Sequence, residues 1–513
     1  MQTILAELFS LQTILALVVG TFGGLVIGAL PGLSATMGMS LLIPITYSMD
    51  TVPSMVMLAA IYCSAVYGGS FSAILIHTPG TPASAATAID GYELTKQGKG
   101  LQALGVSTTA SVIGGVLSVL ALLLIAPQLV KVALMFSSPE YFLIAIFGLT
   151  IVGGLSGKNL LKGLVSAGFG LIVGMVGMNI FPYARYSFGN LNLSGGIQLV
   201  PAMIGLFSLS QVLTLSESRP RGKDREAHKQ QLDSVKAQIA EVSKMKGRFW
   251  PTWKMLKQLL PAILRASILG IGVGILPGAG GDIGSWVGYN SAKNASKKKE
   301  LFGKGSLEGI AGSEAGNNAV CGGALIPALT LGIPGSGAAA VFLGALTVQG
   351  FSSGTNLFGK YADMTYSILL GFLAANLLMG IFGWLLSRYA VRFAALPNGI
   401  LIPVITALSV IGSYAIRNNI FDVYVMLFFG IVGYLMKKFD FPAAPTVLAL
   451  ILGPMAERSM LTSIQMCKGN ILVYYFTRPI CVFFVILILF TFLSPLLQKR
   501  NRTKKEQQAE QSV

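Results

Sequence analysis

Small polar side chains gather beside two matched pairs of proline–glycine breaks in an otherwise apolar chain. The first pair comprises Gly28-Ala29-Leu30-Pro31-Gly32 and His77-Thr78-Pro79-Gly80-Thr81-Pro82-Ala83-Ser84. The second comprises Gly274-Ile275-Leu276-Pro277-Gly278 and Gly332-Ile333-Pro334-Gly335-Ser336-Gly337-Ala338. Ser34, Thr36, Thr78, Thr81, Ser84 and Thr87 lie beside the first pair; Gly280, Gly281, Asp282, Ser285, Asn317, Asn318 and Ser336 lie beside the second.

Proline removes a backbone donor and clashes with the preceding helical turn, and glycine lets the chain leave helical torsions without steric cost. The half-helix ends so produced carry unpaired N–H or C=O groups. In hydrocarbon these are tolerated only where they line a polar cavity. N-terminal ends favour anions, while C-terminal ends and unwound carbonyls favour cations. Gly32, Ser34, Thr36, Thr81, Ser84, Asn317, Asn318, Gly335 and Ser336 are the candidates for a neutral cradle around a carboxylate, and the same groups with carbonyls could hold Na⁺. Asp282, Gly280 and Thr78 are the candidates for holding a coupling cation, Na⁺ or H⁺. Taken singly, each Ser or Thr reads more readily as a packing residue between membrane helices. Repeated at corresponding breaks, the clusters read as one site. No Arg or Lys sits immediately beside either pair, so a carboxylate would rely on helix ends and hydroxyls.

Acids within membrane spans are functional hypotheses by default. Asp282 reads equally as a coupling residue or as an interfacial acid near the basic 293–304 segment. Glu314 is expected to start a cytoplasmic helix and pair with a lysine. His77 reads as a structural histidine or a proton shuttle, and Arg185 and Arg417 as side chains snorkelling to an interface.

The elements that must position these residues follow from composition. The 513 residues are 53% hydrophobic and 11% charged, with mean hydropathy +0.70. A soluble domain carries about 25% charged residues. Windows of ~20 apolar residues, enough to span a bilayer, recur at 101–126, 140–155, 160–180, 366–386, 420–436 and 471–497. No period-2 alternation marks a barrel, so the chain reads as an all-α polytopic membrane protein with roughly ten to thirteen membrane segments, several re-entrant.

The net charge of +17 is concentrated at 219–257, 293–304 and 499–505. Basic loops between apolar spans mark the cytoplasmic face, a stronger explanation than nucleic-acid binding. The hydrophilic stretch 216–258 is expected to be a cytoplasmic linker, with a surface helix at 226–245, between membrane repeats 1–215 and 259–498. Residues 499–513 read as a cytoplasmic basic tail. After the first break, 38–53 carries no Lys or Arg, whereas 290–305 carries five lysines. After the second break the bias reverses: 91–100 carries Lys96 and Lys99, and 347–359 carries no charge. Under the positive-inside rule the two copies lie in opposite senses, an inverted-topology repeat of broken-helix hairpins.

Cys63, Cys321, Cys467 and Cys481 stand singly without metal or disulfide spacing. With only His77 and His228 there is no HExxH, and GxxxxGK[ST] is missing. An enzyme and an ATP-driven pump are both disfavoured, and no cofactor is expected beyond a coupling ion.

The segments GTFGGLVIGALPGLSATMGMSLLIP, PGTPAS at 79–84, GVGILPGAGGDIGSWVGYNSAK and GSLEGIAGSEAGNNAVCGGALIPALTLGIPGSGAAAV resemble the large membrane subunit of the tripartite tricarboxylate transporters, the TctA family. The resemblance runs from about residue 10 to 495. It implies a permease of the bacterial inner membrane that works with a small four-helix membrane subunit and a periplasmic solute-binding protein. It further implies import of di- or tricarboxylates driven by a cation gradient, foremost Na⁺; the inverted repeats fit an elevator-like cycle, by analogy with other binding-protein-dependent secondary transporters. A passive anion channel or a non-transporting membrane scaffold is the alternative; four helix breaks favour the permease.

Overall fold

The computed structural model describes residues 2–155, 160–178, 184–217, 248–278, 280–389, 396, 398–467 and 469–491. The expected surface helix at 226–245 and the tail at 499–513 lie outside the described residues. Among the described residues the fold is all-α, apart from a two-residue antiparallel pairing of Gly177–Met178 with Ala184–Arg185.

The helices are α1 Gln2–Leu8, α2 Leu11–Ala29, α3 Ala35–Tyr47, α4 Thr51–Ile76, α5 Ala85–Lys96, α6 Gly100–Ala133, α7 Ser138–Leu155 and α8 Leu160–Gly174. Then follow α9 Leu199–Glu217, α10 Trp253–Ile275, α11 Gly280–Ala295, α12 Leu307–Leu331 and α13 Gly337–Val348. The chain continues through α14 Ala362–Leu386, α15 Asn398–Ala415, α16 Ile420–Lys438, α17 Ala444–Met466 and α18 Ile471–Phe476. Among the described residues eight of these (α2, α4, α6, α9, α10, α14, α16 and α17) are long and apolar enough to cross a membrane. Shorter apolar helices include α3, α13 and α15. The apolar window 471–497 is not one span: α18 stops at Phe476 and a separate helix begins at Pro479, where the ring cannot continue the hydrogen-bond ladder.

By contact the chain forms two compact units. The first takes residues 1–131 and 198–439, the second 132–197 and 440–513. In the second unit α17 packs on α7 and α8. The Thr446 hydroxyl donates to the Ser166 carbonyl at 2.9 Å, and Arg478 pairs with the buried Glu140 at 2.5 Å. Arg185 pairs with Glu457 at 2.5 Å. In the first unit Arg417 pairs with the buried Asp422. Both arginines are thus held by carboxylates instead of snorkelling freely, because an acid at hydrogen-bond distance is a better partner than a distant interface.

In the first unit α4 is buried along its whole apolar window, whereas α2 and α10 expose much of theirs. Leu15, Val19, Ile268 and Leu276 point outward from these flanking helices, as lipid-facing side chains do. Close packing of α2 on α4 follows from Gly20, Gly24 and Gly28, four residues apart on one stripe. A Cβ at Gly20 would sit 2.6 Å from the Met57 carbonyl oxygen, and one at Gly28 would collide with that of Ala65. On the other side α11 and α12 meet through Gly284 and Gly288 against Gly312 and Gly316. The backbones touch where side chains are missing, and α4 and α12 become the two central helices from which the breaks emerge.

Candidate functional site

The same local geometry occurs at both pairs of breaks. Helix α2 is capped by Leu30 at φ −78°, ψ 117°, and α10 by Leu276 at φ −76°, ψ 120°. Gly32 and Gly278 then take φ +85° and +79°, the left-handed region open to glycine. Helices α4 and α12 both end on left-handed residues, His77 and Gly332. Beyond each, the glycine of the Pro-Gly step donates back to its own helix: Gly80 to the Gly69 carbonyl and Gly335 to that of Ala324, both at 3.3 Å. Gly80 lies against the Gly28 carbonyl and Gly335 against that of Gly274, with no room for a side chain at either. Proline ends the ladder and glycine allows each second break to settle on the helix that carries the first.

Two helix starts meet across the halves. Ser34 caps α3, accepting from the Met37 N–H at 3.2 Å, and Ser336 caps α13, accepting from Ala339 at 3.1 Å. A Cβ at Gly337 would lie 3.3 Å from the Thr36 hydroxyl oxygen, so the two positive helix ends are neighbours. The Tyr62 hydroxyl, on α4, lies 2.8 Å from that of Ser336. Near Gly32 stands Gln211, whose amide nitrogen would be 3.0 Å from a Cβ there. Gln211 accepts a hydrogen bond from the Lys437 ammonium. The fold thus supplies a cation beside the first break, from α16, although the sequence places none next to it. The Ser40 hydroxyl meets that of Ser208 at 2.9 Å, inside a π-helical turn at Ile204–Leu209 of α9. Such turns recur at functional sites.

A second polar region lies between the 3₁₀ turn Pro82–Ser84, α11 and α12. Thr81 and Ser84 pack over Gly69, where a Cβ would sit 2.5 and 2.9 Å from their hydroxyl oxygens. The Ser84 hydroxyl donates to the Thr81 carbonyl at 2.8 Å, while the Thr81 hydroxyl has no partner. Asn317 is buried with both its amide oxygen and nitrogen unpartnered. It faces Gly281 at 2.7 Å from a Cβ position that is also 3.5 Å from Ala83. The Asn318 amide oxygen and the Ser285 hydroxyl are likewise buried and unpartnered. Gly280 donates to the Gly335 carbonyl at 3.4 Å. Buried polar atoms are nearly always hydrogen-bonded, so a concentration of orphans marks a place for a ligand or water.

The breaks therefore gather Gly32, Ser34, Thr36 and Ser336 in one region, and Thr81, Ser84, Asn317, Gly280 and Gly335 in the other. Asp282 is exposed in the first turn of α11 and forms no ion pair among the described residues. Thr78 is exposed, its hydroxyl donating to the Ile76 carbonyl at 3.3 Å, and His77 is exposed and stacked on Tyr92 at 4.7 Å. Among the described residues no group of three or more His, Cys, Asp or Glu could hold a metal ion.

The expectation for Glu314 is overturned. It lies in the interior of α12, fully buried, and no lysine among the described residues pairs with it. Hydroxyls surround it instead: Thr87 donates to one carboxyl oxygen at 2.5 Å and Ser111 to the other at 2.9 Å. Helix α12 already starts at Leu307, so Glu314 lies two turns inside it, where α5 and α6 present hydroxyls to it. Tyr62, Gln211, Lys437 and Asp90 were also not singled out by sequence. One signal was available: Ser84, at the end of the 3₁₀ turn, and Thr87 and Asp90 of α5 recur every third residue, the spacing of one helix face.

A family model described as "Tripartite tricarboxylate transporter TctA family" matches residues 14–448. An uncharacterized 52.8 kDa protein from the TAR-I ttuC' 3' region of Agrobacterium vitis is 34% identical over 463 residues, 90% of this chain and 89% of that protein. A second uncharacterized protein, from the TAR-II ttuC' 3' region of the same organism, is 35% identical over 208 residues, 40% of this chain and 86% of that protein. No solved structure matches the chain.

Proposed function

The chain belongs to the tripartite tricarboxylate transporter TctA family, and we propose that it is the permease subunit of a binding-protein-dependent secondary transporter, importing organic di- or tricarboxylates across the bacterial inner membrane. The family is one of transporter membrane subunits and not of enzymes, and it works in tripartite systems with other subunits. With eight helices long and apolar enough to cross a membrane among the described residues, the chain is a multi-pass membrane protein.

One observation carries the proposal: the serine-capped starts of α3 and α13 stand side by side at Thr36 and Gly337. Two positive helix ends favour a carboxylate, and a binding site between discontinuous helices of two repeats is the recurring design of secondary transporters. The Gln211–Lys437 pair beside Gly32 supplies a further donor for an anion with more than one carboxylate. The matched geometry of the breaks supports descent of 1–215 and 259–498 from one repeat, with 216–258 as the cytoplasmic linker. The reversal of loop charge supports their opposite orientation. An elevator-like movement of the broken helices, coupled to a cation gradient, foremost Na⁺, completes the reading, with Asp282, Gly280 and Thr78 as candidates beside the ion. A small four-helix membrane subunit and a periplasmic solute-binding protein are the proposed partners.

The test is uptake by liposomes holding the chain with the products of its neighbouring genes, using a radiolabelled di- or tricarboxylate that the soluble partner binds. Accumulation is expected only with an inward cation gradient, and Ser34→Ala, Ser84→Ala and Asn317→Ala should each reduce it. Uptake that needs ATP and survives collapse of every ion gradient would reject the coupling. Unsaturable flux would point to a channel.

A further inference from the structure

Glu314 is a carboxyl group in the interior of the first unit, fully buried, with no cation among the described residues paired to it. Leaving an ionised carboxylate alone in a medium of low dielectric costs far more than one hydrogen bond returns. The group must carry a positive charge with it, as a proton or as a bound ion.

Its surroundings distinguish these. Thr87 of α5 and Ser111 of α6 donate to the two carboxyl oxygens, and Ser313 joins through the Thr87 hydroxyl at 2.9 Å. The hydroxyls of Ser70, on α4, and Ser107, on α6, also approach the carboxyl, close enough to act on it but outside hydrogen-bond geometry. Both are buried and have no other partner. Tyr67, the titratable neighbour on α4, is tied to Thr108 at 2.5 Å. A proton would need one acceptor. An arrangement of one carboxylate and several convergent hydroxyl oxygens, two of them unengaged, suits a hard cation bound by oxygen. The single negative charge suits a monovalent one. Among the described residues no histidine or cysteine joins it and no second carboxylate lies in the cluster, which argues against a transition or alkaline-earth metal.

We infer that Glu314, with the hydroxyls of Thr87, Ser111, Ser70 and Ser107, is the binding site for the coupling Na⁺, in place of the exposed Asp282 and Thr78 and their neighbour Gly280. The site joins elements of both halves, since α4, α5 and α6 precede the linker and α12 follows it. Asn317 is one helical turn further along α12, so ion and orphaned amide share a face. An ion at Glu314 would thereby fix the turn that presents Asn317 to the second polar region. This inference rests on the cation-driven reading above, but it is tested without transport.

The experiment is scintillation-proximity binding of ²²Na⁺ to the purified full-length chain in detergent. Saturable binding is expected for the native chain and for a Glu300→Gln control at an exposed position. Glu314→Gln should weaken it at least tenfold. Ser70→Ala should weaken it severalfold without lowering thermal stability, because that hydroxyl makes no hydrogen bond to lose; it decides the matter if the glutamine variant does not fold. Absence of Na⁺ binding in the native chain, or native affinity in either variant, would overturn the site. Na⁺ binding lost in Glu314→Gln together with uptake indifferent to Na⁺ would keep the site and reject the coupling. Uptake still driven by Na⁺ in Glu314→Gln would do the reverse.

Discussion

Tyr62 and Ser336 share a buried hydrogen bond of 2.8 Å although they are separated by 274 residues. Tyr62 belongs to the central helix of the first half, and Ser336 caps the helix that follows the last break of the second. One contact therefore holds a helix start of one half against the core of the other.

Tyr62→Phe removes this bond and leaves the Ser336 cap in place. Interhelical hydrogen bonds in membranes contribute about 0.6 kcal/mol on average and at most ~1.7. Thermal stability should fall only slightly, while carboxylate uptake should fall severalfold as the α13 start loses its fixed position. A large loss of stability with native uptake would make the contact structural.

Asn317→Ala separates binding from folding. Its amide makes no hydrogen bond in the described structure, so the folded state should lose less than about 1 kcal/mol, the typical value of one buried bond. Uptake should drop at least tenfold. The comparison is a thermal-shift curve beside initial rates in liposomes. Reduced stability with unchanged transport would remove Asn317 from the site.

The close backbone contacts at the breaks set a steric prediction. Gly28→Ala and Gly335→Ala each drive a methyl into a carbonyl of the neighbouring segment, and such overpacking costs typically 1–3 kcal/mol or more. Gly23→Ala, on the same helix as Gly28, has nothing within 4 Å of its new Cβ. Monodisperse yield after detergent extraction should collapse for the first two and stay native for the third.

Asp90 ties the halves together at another point. One carboxyl oxygen accepts from the N–H groups of Gly303, Gly305 and Ser306 at 2.7–2.9 Å, and the other from the Tyr289 hydroxyl at 3.0 Å. Hydrogen bonds to a charged group contribute about 1.5–3 kcal/mol each. Asp90→Asn should lower thermal stability substantially and speed amide exchange at 303–306, with Tyr289→Phe showing a smaller effect. Native exchange rates at those amides in Asp90→Asn would refute the tether.

Much of the architecture was legible in local sequence. The apolar windows at 101–126, 366–386 and 420–436 lie within α6, α14 and α16, and the Pro-Gly steps are where α2, α4, α10 and α12 stop. Both follow from properties a segment carries with it: transfer free energy of its side chains, the missing proline donor, and glycine's access to positive φ. The stripe Gly20, Gly24, Gly28 likewise announces a close helix contact, though not with which helix.

Which polar groups meet was decided by tertiary structure alone. Thr87 and Glu314 are 227 residues apart, and nothing in the charge of EGIAGSEAGNNAV distinguishes an interior carboxyl from one at a helix start. Lys437 is remote from Gly32 in sequence and reaches it through Gln211, on a third helix. Helix breaks are local events, fixed by a few adjacent residues, whereas a site is a meeting of faces. It depends on how α4, α5 and α12 are rotated and stacked, and that is fixed by packing summed over the whole unit.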